Sequence, residues 1–324
     1  MFKFLFKRFM SLIPVMFIIS VMLFGLFKSM PGDPVKLMIP AGIKSEVQRQ
    51  MIYDQKVQQL GLDKSLPEQY VRWIINTASG DFGTSTSFNK PVVDVISTPL
   101  QNSIKLNVFV VVLSFLISIP VGIKSAVKRH SLFDSFWQVF SLVGLSMPVF
   151  FIGLLLIFAI AINFRLLPAG GMPFRFDGNF INDTLQWAKY MALPVITLTI
   201  GNLAGTIRYV RNAMIEVISK DFIRTARSKG LSEKVIIYSH AFRNALIPVV
   251  TLVAGSLVGL FGGAAITETI FAWNGIGYVL IQALNSRDYM VVLTMNLFYA
   301  VLSLTANILM DIGYALVDPR IKLK

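Results

Sequence analysis

Apolar residues gather in six long stretches along the chain, at 9–28, 104–123, 136–162, 191–208, 246–267 and 291–316, with polar residues between them. A helix needs about 20 residues to cross the hydrocarbon core of a bilayer, and these stretches are close to that length. A soluble helix would show a one-sided apolar stripe instead of a run. The pattern therefore predicts an all-α membrane protein with six transmembrane helices. Helices suit that solvent because each satisfies its own backbone N–H and C=O groups. The first stretch, within 1–28, follows Lys3, Lys7 and Arg8 as a signal peptide would. Phe9–Phe27 is bilayer-length, however, and no small-residue cleavage site follows, so an uncleaved N-terminal span is expected.

The polar intervals set orientation. Lys3, Lys7 and Arg8 flank span 1, and Lys124, Lys128 and Arg129 lie between spans 2 and 3. The 208–245 interval and the tail 317–324, with Arg320, Lys322 and Lys324, complete the same side. The opposite intervals 163–190 and 268–290 hold only four Lys/Arg, so the positive-inside rule predicts both termini in the cytosol. Trp187, Tyr190 and Tyr289 fall at predicted outer edges and Trp137 at an inner one. The 29–103 segment is a mixed polar stretch on the outside, too long for a plain connector. Pro31-Gly32-Asp33-Pro34 ends span 1, residues 46–60 have helical periodicity, and Gly80-Asp81-Phe82-Gly83 predicts a turn. A platform for a partner and a solvated insertion both fit this segment. Ile276, Val279, Leu280, Ala283 and Leu284 predict a short helix lying in the outer interface.

Composition agrees: 55% of the 324 residues are hydrophobic and 15% charged. The net charge of +13 matches basic residues retained at a cytosolic membrane face rather than nucleic-acid binding. With no cysteine, disulfides and thiolate metal sites are excluded.

The interval 208–250 carries eight Lys/Arg against three acids and two helix-sized pieces. Asp221 is the expected N-cap of a helix over Phe222–Lys229, and Gly230 its terminating glycine. Arg227 and Lys229 suit the negative end of the helix dipole. Ser232 is expected to cap a second helix running towards Asn244, ahead of Pro248. So short an isolated helix cannot hold itself together and needs an external surface, either a docked protein or lipid headgroups.

In span 5, Thr251, Gly255, Gly259, Gly263 and Thr267 recur every fourth residue, and Gly201 and Gly205 repeat the pattern in span 4. Such a face either packs closely on another helix or lines a conduit. Asn296, Ser303, Asn307 and Asp311 mark one face of span 6, which needs a cavity or a partner helix. Pro148 and Pro194 are expected to kink spans 3 and 4. Phosphate-loop, zinc-protease and serine-hydrolase motifs are absent, His130 and His240 lie far apart, and acids are sparse in the spans. Energy for transport must then come from elsewhere. A self-contained carrier or channel, and a membrane-anchored scaffold using residues 29–103, are the competing readings.

Several short motifs carry a resemblance. They include Met30-Pro31-Gly32-Asp33-Pro34, Asp81-Phe82-Gly83, Leu167-Pro168-Ala169-Gly170-Gly171 and Phe222-Ile223-Arg224-Thr225-Ala226-Arg227-Ser228-Lys229-Gly230-Leu231. Arg243-Asn244-Ala245-Leu246-Ile247-Pro248, Glu268-Thr269-Ile270-Phe271 before Gly275-Ile276-Gly277, Asn285-Ser286-Arg287-Asp288-Tyr289 and Asp318-Pro319-Arg320-Ile321 complete them. In this order the chain resembles, nearly end to end, the B-type permease subunits of bacterial oligopeptide and dipeptide ABC importers.

The resemblance implies a type I ABC importer permease fold in the bacterial cytoplasmic membrane. An ABC transmembrane type-1 domain of five helices over 99–316 would follow the first helix and the extracytoplasmic segment. It implies a coupling helix of the EAA motif that enters a groove on the ATP-binding subunit. Arg224-Thr225-Ala226 occupy the Glu-Ala-Ala places and Gly230 the glycine; the glutamate is absent, and the gap to Pro248 exceeds that of sugar permeases. Asp221, Phe222, Arg224, Thr225, Ala226, Arg227, Lys229 and Gly230 are then the coupling residues. Implied partners are a homologous C-type permease, two ATP-binding subunits, an extracytoplasmic peptide-binding protein and membrane lipid. The chain itself would be no enzyme and bind no cofactor, with ATP and Mg held by the partner subunits. Importers of nickel, glutathione and other small solutes share this permease type.

Overall fold

Apolar runs without β-branched alternation become helices, and most of the described residues are helical. The structure, a computed structural model, describes residues 2–29, 34–37, 39, 42–43, 45–59, 61–173 and 178–317. In chain order the helices are α1 (Phe2–Ser29), α2 (Pro34–Leu37), α3 (Glu46–Gln59), α4 (Leu66–Ala78), α5 (Val92–Val127), α6 (Leu132–Ser146) and α7 (Val149–Leu156). They continue as α8 (Phe180–Ile218), α9 (Asp221–Ser228), α10 (Glu233–Val235), α11 (Arg243–Gly262), α12 (Ala265–Ile270), α13 (Ile276–Asn285) and α14 (Tyr289–Val317). Wider π-helical turns extend α7 over Ile157–Asn163 and join α10 to α11 over Ile236–Phe242.

Among the described residues, four helices are long and apolar enough to cross a membrane: Met10–Ser29 within α1, α5, α8, and Tyr289–Ile308 within α14. Leu132–Ser146 with Val149–Asn163 makes a fifth if counted as one span. That pair is bent by 102°, so Pro148 breaks the expected span 3 instead of kinking it. Met147 before the proline is extended (φ −93°, ψ 130°), as the clash with the proline ring demands, and Pro148 opens α7. The expected span 246–267 also stops short, because α11 ends at Gly263 with φ +65° and the chain restarts as α12. A Cβ there would lie 2.8 Å from Ile276 Cγ2 and 2.9 Å from Gly277 N, so only glycine fits the turn. Thr267 therefore leaves the glycine face of span 5 and is buried in α12.

Contacts divide the chain into two units. One comprises Leu100–Tyr278 and the end of α14 from Thr305. Here α5 and α8, of 36 and 39 residues, far exceed the stretches expected at 104–123 and 191–208. At 1.5 Å per residue they reach about 54 and about 58 Å, well beyond a ~30 Å hydrocarbon core. No hydrophobic force draws helices together in lipid, so close backbone approach matters. A Cβ on Gly122 of α5 would meet Val210 at 2.7 Å, and one on Gly201 of α8 would meet Val149 at 2.8 Å. A Cβ on Gly170 would sit 2.3 Å from the Phe271 carbonyl oxygen, which Gly171 N–H also approaches at 2.7 Å. Gly170→Ala is expected to lower the thermal melting point of the purified protein through about 1–3 kcal/mol of overpacking. Gly205→Ala, whose Cβ would meet Leu145 at 4.0 Å, should melt like the parent.

The second unit comprises Phe2–Pro99 and Val279–Leu304. Tyr70 of α4 meets the Ser20 hydroxyl at 2.7 Å, and Phe24 packs against Tyr70 and Trp73 at 5.5 and 5.9 Å. The expected turn at 80–83 forms, with Gly83 N–H donating to Asp81 Oδ1 at 2.9 Å. The fully buried Asp288 accepts from Ser85 Oγ and from Ser87 N–H, tying the segment after Asp81-Phe82-Gly83 to the start of α14. The short helix expected near 276–284 is α13, but Ile276, Val279 and Ala283 are buried in protein; of its apolar residues, Leu284 is the exposed one. Pro31-Gly32-Asp33 and the tail 318–324 lie outside the described residues.

Candidate functional site

α9 is an eight-residue helix whose two buried positions fall three apart. Ile223 and Ala226 point inward, while Asp221, Phe222, Arg224, Thr225, Arg227 and Lys229 are exposed. The buried pair joins a cluster of Ile123 and Ala126 from α5, Val210 and Met214 from α8, Ile236 and Ala241 from the π turn, and Ala245 and Val249 from α11. Burying Ile223 completely contributes about 2 kcal/mol. The expectation that this helix needs an external surface is therefore corrected: its own chain supplies the support, from elements distant in sequence. What remains outward is a mainly basic face that also exposes Phe222.

The caps differ from expectation at one end and agree at the other. Lys220 occupies the N-cap position and Asp221 the first helical turn, where its charge suits the helix dipole. Asp221 instead accepts from Arg224 Nη1 at 3.5 Å, and its carbonyl accepts from Thr225 Oγ1 at 3.1 Å. At the C-terminal end Gly230 has φ +75°. Gly230 N–H donates to Arg227 O at 2.9 Å and Leu231 N–H to Ala226 O at 3.4 Å, the paired bonds of a Schellman motif. Arg227 crosses to Glu233 by Nε–Oε1 and Nη2–Oε2 contacts of 2.9 and 3.4 Å, which raise its already high pKa. Ser232 occupies the N-cap position of α10 without a side-chain bond. The expected second helix does not end near Asn244; it runs through the π turn into α11.

One brace beneath this site was missed in the sequence. Arg211 of α8 grips Asp134 of α6 through Nε–Oδ1 at 2.6 Å and Nη2–Oδ2 at 2.8 Å. Both side chains are largely buried, at 14% and 4% exposure. Asp134 also accepts from His130 N–H at 3.0 Å, while Ser131 Oγ caps the helix by accepting from Asp134 N–H at 3.3 Å. The signal was available: Ser131-x-x-Asp134 is a capping-box spacing ahead of an apolar run.

The other predicted positions lie on α11 and α14. Gly255 and Gly259 are exposed, and a Cβ on either would meet nothing within 4 Å. Gly263 instead packs against Ile276 within the chain. Asn296, Ser303 and Asn307 are exposed on α14, with Asn296 Nδ2 donating to Val292 O at 2.8 Å. The side chains of Thr251 and Asp311 lie outside the described residues.

Comparison with known proteins adds two family matches. The family described as binding-protein-dependent transport system inner membrane component matches residues 118–323. The corresponding N-terminal membrane component family matches residues 1–107. An oligopeptide transport system permease protein, AppB of Bacillus subtilis, is 35% identical over 317 residues, 98% of each chain. A dipeptide transport system permease protein, DppB of Escherichia coli K12, is 37% identical, the alignment covering 100% of each chain. Among solved structures, a chain of the MetNI methionine ABC transporter aligns with 68% of this chain and 96% of its own, at 17% identity and a TM-score of 0.47.

Proposed function

We propose a function on one premise: the chain belongs to the family of binding-protein-dependent transport system inner membrane components. It is a permease subunit of a bacterial ABC importer, embedded in the inner membrane, and it carries oligo- or dipeptides. The observation that carries the substrate class is end-to-end similarity to permeases named for oligopeptide and dipeptide transport. The finer reading has six helices across the membrane and both termini in the cytosol. Residues 29–103 are then extracytoplasmic, and α9 docks on a separate ATP-binding subunit. In its support, α9 is already folded and shows Phe222, Arg224, Thr225 and Lys229 outward. A homologous C-type permease, two ATP-binding subunits with ATP and Mg, and a peptide-binding protein complete the importer.

Mechanistically, an ATPase pair closing around nucleotide would push on α9. Ile223 and Ala226 pass that push to α5, α8 and α11 through their shared cluster. The three helices then move together, and a cavity between the two permeases alternates between outward- and inward-facing states.

Purification from native membranes in mild detergent should bring along a second permease and ATP-binding subunits. The reconstituted complex, with its binding protein, should take up a labelled di- or tripeptide only with ATP. Uptake by this chain alone under an ion gradient would instead establish a self-contained carrier, and competition by nickel or glutathione would move the substrate class.

The open surroundings of Gly255 and Gly259 support a face turned to the second permease or to the conduit. Gly259→Leu should leave insertion and melting of the isolated chain unchanged while sharply reducing co-purification of the second permease or peptide uptake. Normal assembly and uptake by that variant would remove the close-approach role.

A further inference from the structure

At the end of α5 remote from α9, a carboxyl group is buried with no ion-pair partner among the described residues. Glu268 of α12 has zero exposure, and both its oxygens serve as acceptors. Oε1 accepts from Ser103 Oγ of α5 at 2.7 Å and from Ala264 N–H at 3.2 Å. Oε2 accepts from Tyr278 N–H at 3.0 Å, and Ser103 Oγ in turn accepts from Ile276 N–H at 2.8 Å. One side chain thus fastens three segments: the exit of α11, the start of α13 and the flank of α5. Burying such a group costs several kcal/mol without donors, so each donor matters.

The surroundings leave the group no freedom. A Cβ on Gly275 would lie 2.5 Å from both Glu268 and Ser103 Oγ. Asn102 Nδ2 donates to Asn274 O at 2.9 Å, and the fully buried Trp273 sends its Nε1–H to Asn102 O at 3.4 Å. Trp273 meets Trp187 of α8 edge-on at 5.6 Å, and Asn107 Nδ2 donates to Leu260 O of α11 at 3.1 Å. The same three helices, α5, α8 and α11, enter the cluster that seats α9. From Ser103 to Ala126 along α5 is about 35 Å at 1.5 Å per residue.

We infer that Glu268 is a positioning residue for transport. Through Ser103 it locks the α11–α13 connection to α5, so that displacement applied at α9 arrives at the opposite end of the helices as motion of α12. The inference rests on the proposed importer reading. Without the lock, α9 can still respond to nucleotide, but the far end no longer follows.

The chain has no cysteine, so Ile266→Cys, on the exposed side of α12 (60% accessible), is a single reporter. In the reconstituted complex, maleimide labelling of this chain is timed with and without vanadate-trapped ATP. Trapping should change the rate about tenfold, the factor that about 1.4 kcal/mol of altered equilibrium corresponds to. Glu268→Gln, which turns an NH₂ group toward a donor, and Ser103→Ala should shrink that change below about twofold while ATP hydrolysis continues. Ser103→Thr, which keeps the hydroxyl, should restore it. A full labelling response in Ser103→Ala overturns the inference, as does a Ser103→Thr chain that behaves like Ser103→Ala. A reporter indifferent to nucleotide in a complex that hydrolyses ATP overturns it too, leaving the importer reading intact. Should Glu268→Gln fail to insert, the Ser103 pair decides alone. If no ATP-hydrolysing subunit accompanies the parent chain, the importer reading itself fails and takes this inference with it.

Discussion

Gly230→Pro should abolish ATP-driven peptide uptake while the chain still reaches the membrane. The residue holds φ +75°, and proline is confined near −65°, so the substitution cannot keep the turn. It also deletes the N–H that donates to Arg227 O at 2.9 Å and disturbs the neighbouring Leu231 to Ala226 bond. The local cost is about 3 kcal/mol or more, enough to unravel the last turn of α9, which carries Arg227 and Lys229. Among the described residues, nothing beyond its chain neighbours lies within 4 Å of a Cβ placed on Gly230. Gly230→Asn tolerates the left-handed conformation and should retain most uptake, and Gly230→Ala should fall between. Uptake and ATP hydrolysis measured side by side in proteoliposomes check the series. Wild-type uptake by the proline variant would show that the shape of this helix end is irrelevant to coupling.

Asp134→Ala is expected to destabilise the purified protein by about 3–5 kcal/mol, because it strands the Arg211 guanidinium in a largely buried site. It also removes the acceptor of His130 N–H, which holds the left-handed turn at φ +63° ahead of α6. Arg211→Met, which leaves the carboxylate unpaired, should cost a comparable amount. The double variant Asp134→Leu with Arg211→Met should recover much of the loss, since no uncompensated charge then remains. Thermal unfolding in one detergent reads all three proteins. A double variant as unstable as the sum of the singles would mean that the two residues contribute independently, and that the stranding of one partner does not set the loss. Because Arg211 follows Val210 of the cluster beneath α9, the single variants should also weaken coupling in whatever protein survives.

How much could be read beforehand differs by element. Helix positions were legible from apolar runs, because length and hydropathy act locally. Helix ends were not: the extension of α8 back to Phe180 depends on Asn179, whose side chain caps Ile181 N–H at 3.0 Å, and on contacts far along the chain. The break at Pro148 was visible as a proline, but its 102° angle was not, since nothing local fixes direction after an extended residue. Ile223 and Ala226 stand three apart in the sequence and form the buried face of α9. What buries it could not be read, because Ile123 lies 100 residues earlier and the π turn at Ile236–Phe242 carries no simple sequence mark. Glu268 stood in the sequence only as the first residue of the Glu268-Thr269-Ile270-Phe271 motif, and Ser103 as an unremarked polar residue; their joint meaning arises only where three segments converge.

A consequence follows from α9 being seated on its own chain. Ordering a loop upon encounter costs roughly 1–2 kcal/mol per residue, and α9 has eight. That entropy is already spent during folding, so on the proposed reading a nucleotide-hydrolysing subunit would meet a finished knob. Recognition can then be reversible and quick without a broad interface, which suits an engine that must grip, release and be exchanged while the membrane half stays intact.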